Sequence, residues 1–278
     1  MRNLGVVIRT CCFGPRLLIG AAAFAAQVNL TCTNTSADAV KLNTAIENSR
    51  AGDRIQIHGT WLLNATIVLL GDRTYEGDSR TGTILRQAGG ANLTALLASD
   101  RWSDDWTYTG DLIRIAQLTL DGNGCANSGT NALVIRSWLT VIEDLQVEDA
   151  PADGIQITNL SKNGVRLQSS QVNGHSNRLV TNCGAIGIHV VDDSTSVTDW
   201  SLLDSWAANS GESTIYLGDA AGWTVRGNHV YGVRQPPSLP MAVGLRPSTR
   251  ITSKTLAALV GPIPGTGLYA PWVAERPR

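Results

Sequence analysis

Asp204, Glu212, Arg226 and His229 fall within one short stretch, WSLLDSWAANSGESTIYLGDAAGWTVRGNHVYG, spanning Trp200 to Gly232. Two carboxyl groups, a guanidinium and an imidazole are what acid–base work on a polar substrate needs. One acid donates a proton, one ionised carboxylate acts as nucleophile or base, and the remaining groups hold the substrate. Asp204 and Glu212 are the preferred acids, with Arg226 and His229 as supporting groups. Upstream, Asp121 and the adjacent pair Glu148 and Asp149 follow strand-like runs in the same manner as Asp204 and are candidate substrate-binding groups. An acid directly after a strand is also an ordinary turn residue that accepts backbone N–H groups, so each carries a structural reading beside the chemical one.

The elements that must position these groups repeat. Trp200-Ser-Leu-Leu-Asp-Ser and Trp223-Thr-Val-Arg-Gly-Asn lie 23 residues apart, and Ser213-Thr-Ile-Tyr-Leu lies between them, entered and left through Gly-containing turns. Counterparts upstream are Leu118-Thr-Leu-Asp, Leu145-Gln-Val-Glu and Arg178-Leu-Val-Thr. Their partner strands are Ala132-Leu-Val-Ile, Gly154-Ile-Gln-Ile and Gly187-Ile-His-Val. Two or three short strands per repeat, with Gly, Asn and Asp turns and no helical interval, is the grammar of a β-solenoid, here of about five coils. Stacked coils are about 4.8 Å apart, so equivalent residues form rows along the rod. On this register Asp121, Glu148 with Asp149, and Asp204 line one rim. Carboxyl groups about 5–5.5 Å apart suit a retaining glycosidase and about 6.5–9.5 Å an inverting one, close to one and two coil spacings. Trp200, Trp206 and Trp223 read as core or coil-packing residues.

The chain has 278 residues, formal net charge −1, 28 glycines and few aromatics. That balance gives no reason to expect nucleic acid as a partner and is compatible with a polysaccharide or oligosaccharide. Arg2, Arg9 and Arg16 precede about ten apolar residues, too short a run to span a bilayer, and Ala23-Phe-Ala25 offers a small-x-small cleavage pattern. Residues 1–25 therefore read as an export signal and the mature chain as secreted. Cys32, Cys125 and Cys183 would remain, an odd number that rules out a full disulfide framework. Asp192-Asp193 is a calcium candidate, although with Ser194 and Thr195 behind it the turn reading is favoured; no other cofactor is expected.

Residues 37–48 form the one amphipathic helix, with Val40, Leu42, Ala45 and Ile46 on one face and Ser36 or Asp38 as cap. Preceding the first coil, it would cover the open end of the solenoid. Residues 88–112 read as either a projecting loop or an irregular coil. After Arg234 the pattern stops: eight of the ten prolines lie in 236–278, where strand stacking would lose its donors.

The order of that helix, then AGDRIQIHGTWLL, IVLLGDRTYEGD and repeated LTLDGN-type and GIxI-type strands resembles the right-handed parallel β-helix proteins of the pectate lyase superfamily, over about residues 36–233. The resemblance implies an all-β, single-stranded right-handed parallel β-helix with a short N-terminal capping helix. It implies a polysaccharide lyase, glycosidase, transferase or adhesin without choosing among them. GWTVRGNHVYGV is also similar to inulin fructotransferases. That family's first catalytic acid matches Asp204, whereas the second falls nearer Ile215 than Glu212. The expected organisation is an export signal (1–25), a β-helix domain (26–235) and an irregular tail (236–278), with homo-oligomers open. The expected function is cleavage or transglycosylation of a polysaccharide by carboxylate chemistry, the alternatives being a lyase or a non-catalytic carbohydrate-binding or adhesin-type rod.

Overall fold

A computed structural model describes residues 25–168, 171–233 and 250–251. The export-signal reading and the tail reading fall outside the described residues, apart from Ala25 and the pair at 250–251.

In chain order the elements are β1 (Gln27–Thr31), α1 (Asp38–Glu47), β2 (Arg54–Leu63), β3 (Ile67–Leu69), β4 (Arg73–Gly77), β5 (Thr83–Gln87), β6 (Ala95–Ser99), α2 (Asp100–Ser103), β7 (Ile113–Asp121), β8 (Asn131–Ile135), β9 (Thr140–Glu148) and β10 (Ile155–Thr158). They continue as β11 (Val172–Thr181), β12 (Ile186–Val191), β13 (Val197–Leu203), β14 (Trp206–Ser210), β15 (Ser213–Leu217), β16 (Thr224–Arg226), β17 (His229–Val233) and β18 (Arg250–Ile251).

Every pairing between these strands is parallel, and each strand pairs with its counterpart one coil away. The chain is therefore a parallel β-helix, coiling right-handed as crossovers between right-twisted parallel strands do. It has three faces. The first runs through β1, β2, β4, β7, β9, β11, β13, β16 and β18; the second takes the later halves of β2, β7, β9 and β11 together with β5, β14 and β17. The third is the separate sheet β3-β6-β8-β10-β12-β15, whose six strands mark six coils among the described residues, one more than the sequence pattern suggests. Of these six, β3 and β6 precede the four partner strands read in the repeat pattern, and β6 brings residues 95–99 into the stack. The true excursion begins at α2, where Trp102 is buried against Ala95, Ala98 and Val134 on the outer side of the third face.

Alternation drives the inside of the rod. Along β9 the buried residues are Thr140, Ile142, Leu145 and Val147, and the skipped step between Ile142 and Leu145 is a bend, not a break. Ile, Leu and Val from successive coils stack into one core. Trp200 and Trp223, both fully buried, stack with ring centroids 5.7 Å apart. Their packing agrees with the core reading.

Helix α1 closes the N-terminal end by supplying the hydrogen bonds a further coil would have made. Asn43 accepts from the Val68 N–H at 3.0 Å and donates to Thr66 O at 2.9 Å, on the edge strand of the third face. The buried Asp38 carboxylate accepts from Leu62 N–H, Thr33 N–H and Thr33 Oγ1. Burial works to raise its pKa, but the accepted hydrogen bonds outweigh it and hold the group below the ordinary carboxylate value. Two details of the helix differ from the sequence reading. Val40 is 67% exposed because the buried face runs through Asp38, Ala39, Leu42 and Ile46, and Ala37 occupies the cap position.

Arg250 and Ile251 pair in parallel with Thr224 and Val225, adding a short strand at the far end of the first face. No helix among the described residues is long and apolar enough to cross a membrane.

Candidate functional site

In four coils the bend between the first and second faces is made by a residue in the left-handed region: Gln117, Asp144, Asp204 and Gly227 have φ of 56°, 47°, 44° and 70°. Asn and Asp tolerate this conformation because their short polar side chains can hydrogen-bond locally. The coil between Asp144 and Asp204 lacks such a residue, and the β11 register shifts between Ser176 and Arg178. The Asn177 side chain fills the gap, its Oδ1 accepting the Asp144 N–H at 2.9 Å. A side-chain carbonyl thus replaces a main-chain one.

Asp204 is exposed at this corner, immediately after β13. Its backbone N–H donates to Arg226 O, and its carboxylate lies over Gly227, where a Cβ would come 2.1 Å from Oδ1. Asp199 over Gly222 and Asn209 over Gly232 repeat the arrangement at the other bends. The corner role of Asp204 is therefore structural, whatever else its outer oxygen does.

A shallow groove of about 460 Å³ runs along this corner, lined by Arg80, Asp144, Asn177, Leu179, Asp204 and Trp206. Arg80 pairs with Asp144 at 3.0 Å, both ends being solvent-exposed. Asp144 and Asp204 stand two coils apart with Asn177 between them, a separation of roughly 9–10 Å at the β-helix rise. Arg178 also lines the groove; its side chain is buried and, among the described residues, none of its guanidinium nitrogens has a hydrogen-bond partner. Burial lowers its pKa to about 9.

Beside the groove lies an aromatic patch. Trp206 is 44% exposed, stacks on His229 at 5.2 Å and meets the edge of Tyr231 at 5.1 Å. The core reading of Trp206 is thereby corrected: it follows the corner residue Asp204 and the inward Ser205, so alternation turns it outward. His229 belongs to the same patch. Arg226 is exposed at the end of β16, on the other side of the bend.

The expected single rim is two rims. In register, Asp121 pairs with Glu148, Glu148 with Thr181, Thr181 with Ala208 and Ala208 with Tyr231, so this row crosses β14 four residues beyond Asp204. The cause is the bend itself, which lets β7, β9 and β11 continue across two faces while the equivalent path in the next coil splits into β13 and β14. On its row, Asp121 is buried, pairs with Arg86 Nε at 2.7 Å and accepts the Asn123 N–H. Glu148 accepts from Gln146 Nε2 at 2.6 Å, and Asp149 is a left-handed corner residue with φ of 50°.

Glu212 sits past the next bend, just before β15, with its N–H bonded to Ala185 O. Residues 205–211, the whole of β14 among them, separate it from Asp204, and β14 alone spans about 16 Å at the usual strand rise. It does not line the groove, whereas Asp144 does. Asp192, the calcium candidate, accepts the N–H groups of Ser194 and Val197 with its two oxygens, and Asp193 takes Asn159 Nδ2 and Arg166 Nε. No group of three or more His, Cys, Asp or Glu with metal-binding geometry occurs among the described residues.

One cluster has no counterpart in the sequence reading. On the outer side of the third face, His189 Nδ1 lies 2.6 Å from Asp153 Oδ2, with Gln156 and Tyr216 as register neighbours of His189. The DGIQI and GIHV segments announce two strands, but the separation of 36 positions between Asp153 and His189 hides their contact until the coils are in register.

No family model matches the chain, and no curated protein matches it. Among solved structures, a polygalacturonase from Erwinia carotovora ssp. carotovora is similar, with TM-score 0.41 and 10% identity, over 76% of this chain and 69% of that one.

Proposed function

We propose that the protein is a carbohydrate-binding β-helix that holds a polysaccharide chain in the groove along the Asp204 corner. The observation that carries this reading is Trp206, exposed beside the groove and braced by His229 and Tyr231. An exposed aromatic face gives the C–H face of a sugar ring an apolar surface at little entropic cost. Asp144, Asn177, Asp204 and Arg80 then supply acceptors and donors for its hydroxyls. The groove is open and runs across several coils, as an extended polymer requires.

The second reading is hydrolysis by carboxylate chemistry, and the Asp144–Asp204 spacing favours it. Roughly two coil rises fall at the upper edge of the 6.5–9.5 Å range of inverting glycosidases. On this reading one of the two is the proton donor and the other activates water, and Asp144 takes the place expected for Glu212. The ion pair of Asp144 with Arg80 and the corner role of Asp204 favour binding without cleavage.

Screening against fructans, pectins and glucans tests both readings. Retention of a polymer on affinity gels without release of reducing ends supports the binder; release abolished by Asp204→Asn, with an unchanged thermal midpoint, supports cleavage. A protein that retains none of these polymers refutes the groove reading.

A further inference from the structure

His189 has supports that the groove residues lack. It projects outward from β12 with its side chain 23% exposed, while the Asp153 side chain against its Nδ1 is only 12% exposed. Asp153 is itself fixed: Oδ1 accepts the Ile186 N–H at 3.1 Å, and its own N–H donates to Asn131 Oδ1 at 3.1 Å. With the carboxylate accepting from Nδ1, the ring proton sits on Nδ1 and Nε2 becomes a basic acceptor facing outward. Tyr216 presents its ring edge-on at 5.5 Å and holds the imidazole from the following coil.

The preceding coil completes the arrangement. Gln156 is the register partner of His189, about 4.8 Å away along the rod. Asn131 Nδ2 donates to Gln156 Oε1 at 2.7 Å, which orients the amide and leaves its NH₂ as a donor without a partner among the described residues. An oriented imidazole base beside a fixed neutral donor does not match glycosidic chemistry, which calls for two carboxyl groups. It matches acyl transfer, in which a base takes a proton from the nucleophile and a donor receives the oxyanion.

We propose that His189 is a general base for hydrolysis of an acyl ester carried by a hydroxylated ligand lying on the third face, with Asp153 as its positioning residue and Gln156 as the oxyanion donor. A water molecule gives its proton to Nε2 as its oxygen bonds to the ester carbonyl carbon. The carbonyl electrons move to the oxygen, where the Gln156 amide donates. Collapse of the tetrahedral intermediate breaks the C–O bond to the alcohol, and the imidazolium returns the proton to the leaving alkoxide. The products are a carboxylic acid and a free hydroxyl, with no co-reactant beyond water. The titratable groups beside His189 are Asp153 and Tyr216, with the Cys183 thiol, pushed up to about 12 by burial, in the core near Asp153.

The site lies on a different face from the groove, so its failure leaves the groove reading intact. The test is hydrolysis of p-nitrophenyl acetate by the full chain. His189→Gln should lose on the order of 10²–10⁴ in rate, the usual contribution of a positioned base. His58→Gln removes the other His–Asp pair, His58 Nδ1 to Asp78 Oδ1 at 2.7 Å, and should leave the rate unchanged. Asp153→Asn should lower kcat with KM little changed, because the imidazole is no longer held in the Nδ1–H tautomer that leaves Nε2 free to accept. If a variant does not fold, carbethoxylation of the wild-type chain should inactivate it in step with modification of His189, mapped by peptide mass spectrometry. Full activity in His189→Gln, an unchanged kcat in Asp153→Asn, or inactivation that tracks His58 would overturn the proposal.

Discussion

At the Asp204 corner the side chains are displayed by a backbone bend, whereas around His189 they are held by one another. Asp144, Asp204 and Trp206 face solvent around a backbone bend at which Asp144, Asp204 and Gly227 turn left-handed, and each is held by only one or two side-chain neighbours at the surface. His189 is fixed through Asp153, Asn131 and Gln156, a chain of hydrogen bonds reaching across three adjacent coils. The first arrangement suits a surface that must adapt to an extended polymer; the second suits a proton transfer with strict geometry. The same repeat thus makes a binding surface where it bends and a preorganised cluster where its strands run straight.

The sharpest way to perturb the corner is from the core side. The Arg178 guanidinium is buried with no partner among the described residues, so its charge is uncompensated. Arg178→Met should stabilise the fold, by on the order of 1–4 kcal/mol, the gain seen when buried ion pairs give way to apolar side chains of similar volume. The folded pKa of about 9 lies well below the ordinary guanidinium value, so the unfolded state binds more protons above pH 9 and wild-type stability rises with pH there. The advantage of the Met variant in urea melts should be full below pH 9 and shrink above it. A variant less stable than wild type at pH 7 would mean that Arg178 has a partner in the folded protein.

Next comes the bend itself. Gly227 has φ of 70°, and a Cβ there would lie 2.1 Å from Asp204 Oδ1. Gly227→Ala should cost about 1–3 kcal/mol for the left-handed conformation, with a further cost for moving the carboxylate. Adding Asp204→Ala removes the clash but not the strain, so a double-mutant cycle should show coupling between the two sites. Additive effects would mean that Asp204 does not rest on Gly227.

These bends explain how far the sequence could be read. Strand positions follow from period-two alternation, and Val172, Trp200 and Trp223 obey it. A left-handed residue, however, leaves inward residues on both of its flanks, as Ile142 and Leu145 are around Glu143 and Asp144, which looks like the end of a strand. Asp121, Glu148 and Asp204 were therefore assignable to one row although they occupy two. Asn173 and Asn177 were illegible for a related reason: their side chains replace corner residues that their coil lacks, Asn173 Oδ1 accepting the Leu139 N–H at 2.7 Å. The fold needed only the period, but the site depends on the register.

The capped end provides a smaller effect. Asp38 has its folded pKa held below the ordinary 3.8, so its contribution is fully present above that value and is lost as pH falls through the folded pKa. Asp38→Asn keeps the size and one acceptor and should cost about 1 kcal/mol at pH 7. The stability gap between wild type and variant should be flat above pH 4 and close below it. A gap constant down to pH 2 would remove the carboxylate from the cap.

The smallest effect on stability is expected at Trp206, and it separates display from packing most directly. The residue is 44% exposed and its contacts, His229 and Tyr231, lie on the same outer face, so Trp206→Ala removes little buried surface. Exposed substitutions away from special backbone sites usually change stability by about 0.5 kcal/mol or less, and a partly packed ring sits slightly above that. Binding is another matter. Aromatic anchors at interfaces commonly carry about 2 kcal/mol or more, so retention of a bound polymer should weaken by roughly 30-fold or more while the thermal midpoint hardly moves. Trp200→Ala is the contrasting variant. Its ring is fully buried, donates Nε1–H to Ser176 Oγ at 3.0 Å and stacks on Trp223, so about 3–5 kcal/mol of stability should be lost. If Trp206→Ala destabilises the fold as much as Trp200→Ala does, the outer aromatic row is packing and not a display, and the groove loses its strongest claim to a sugar.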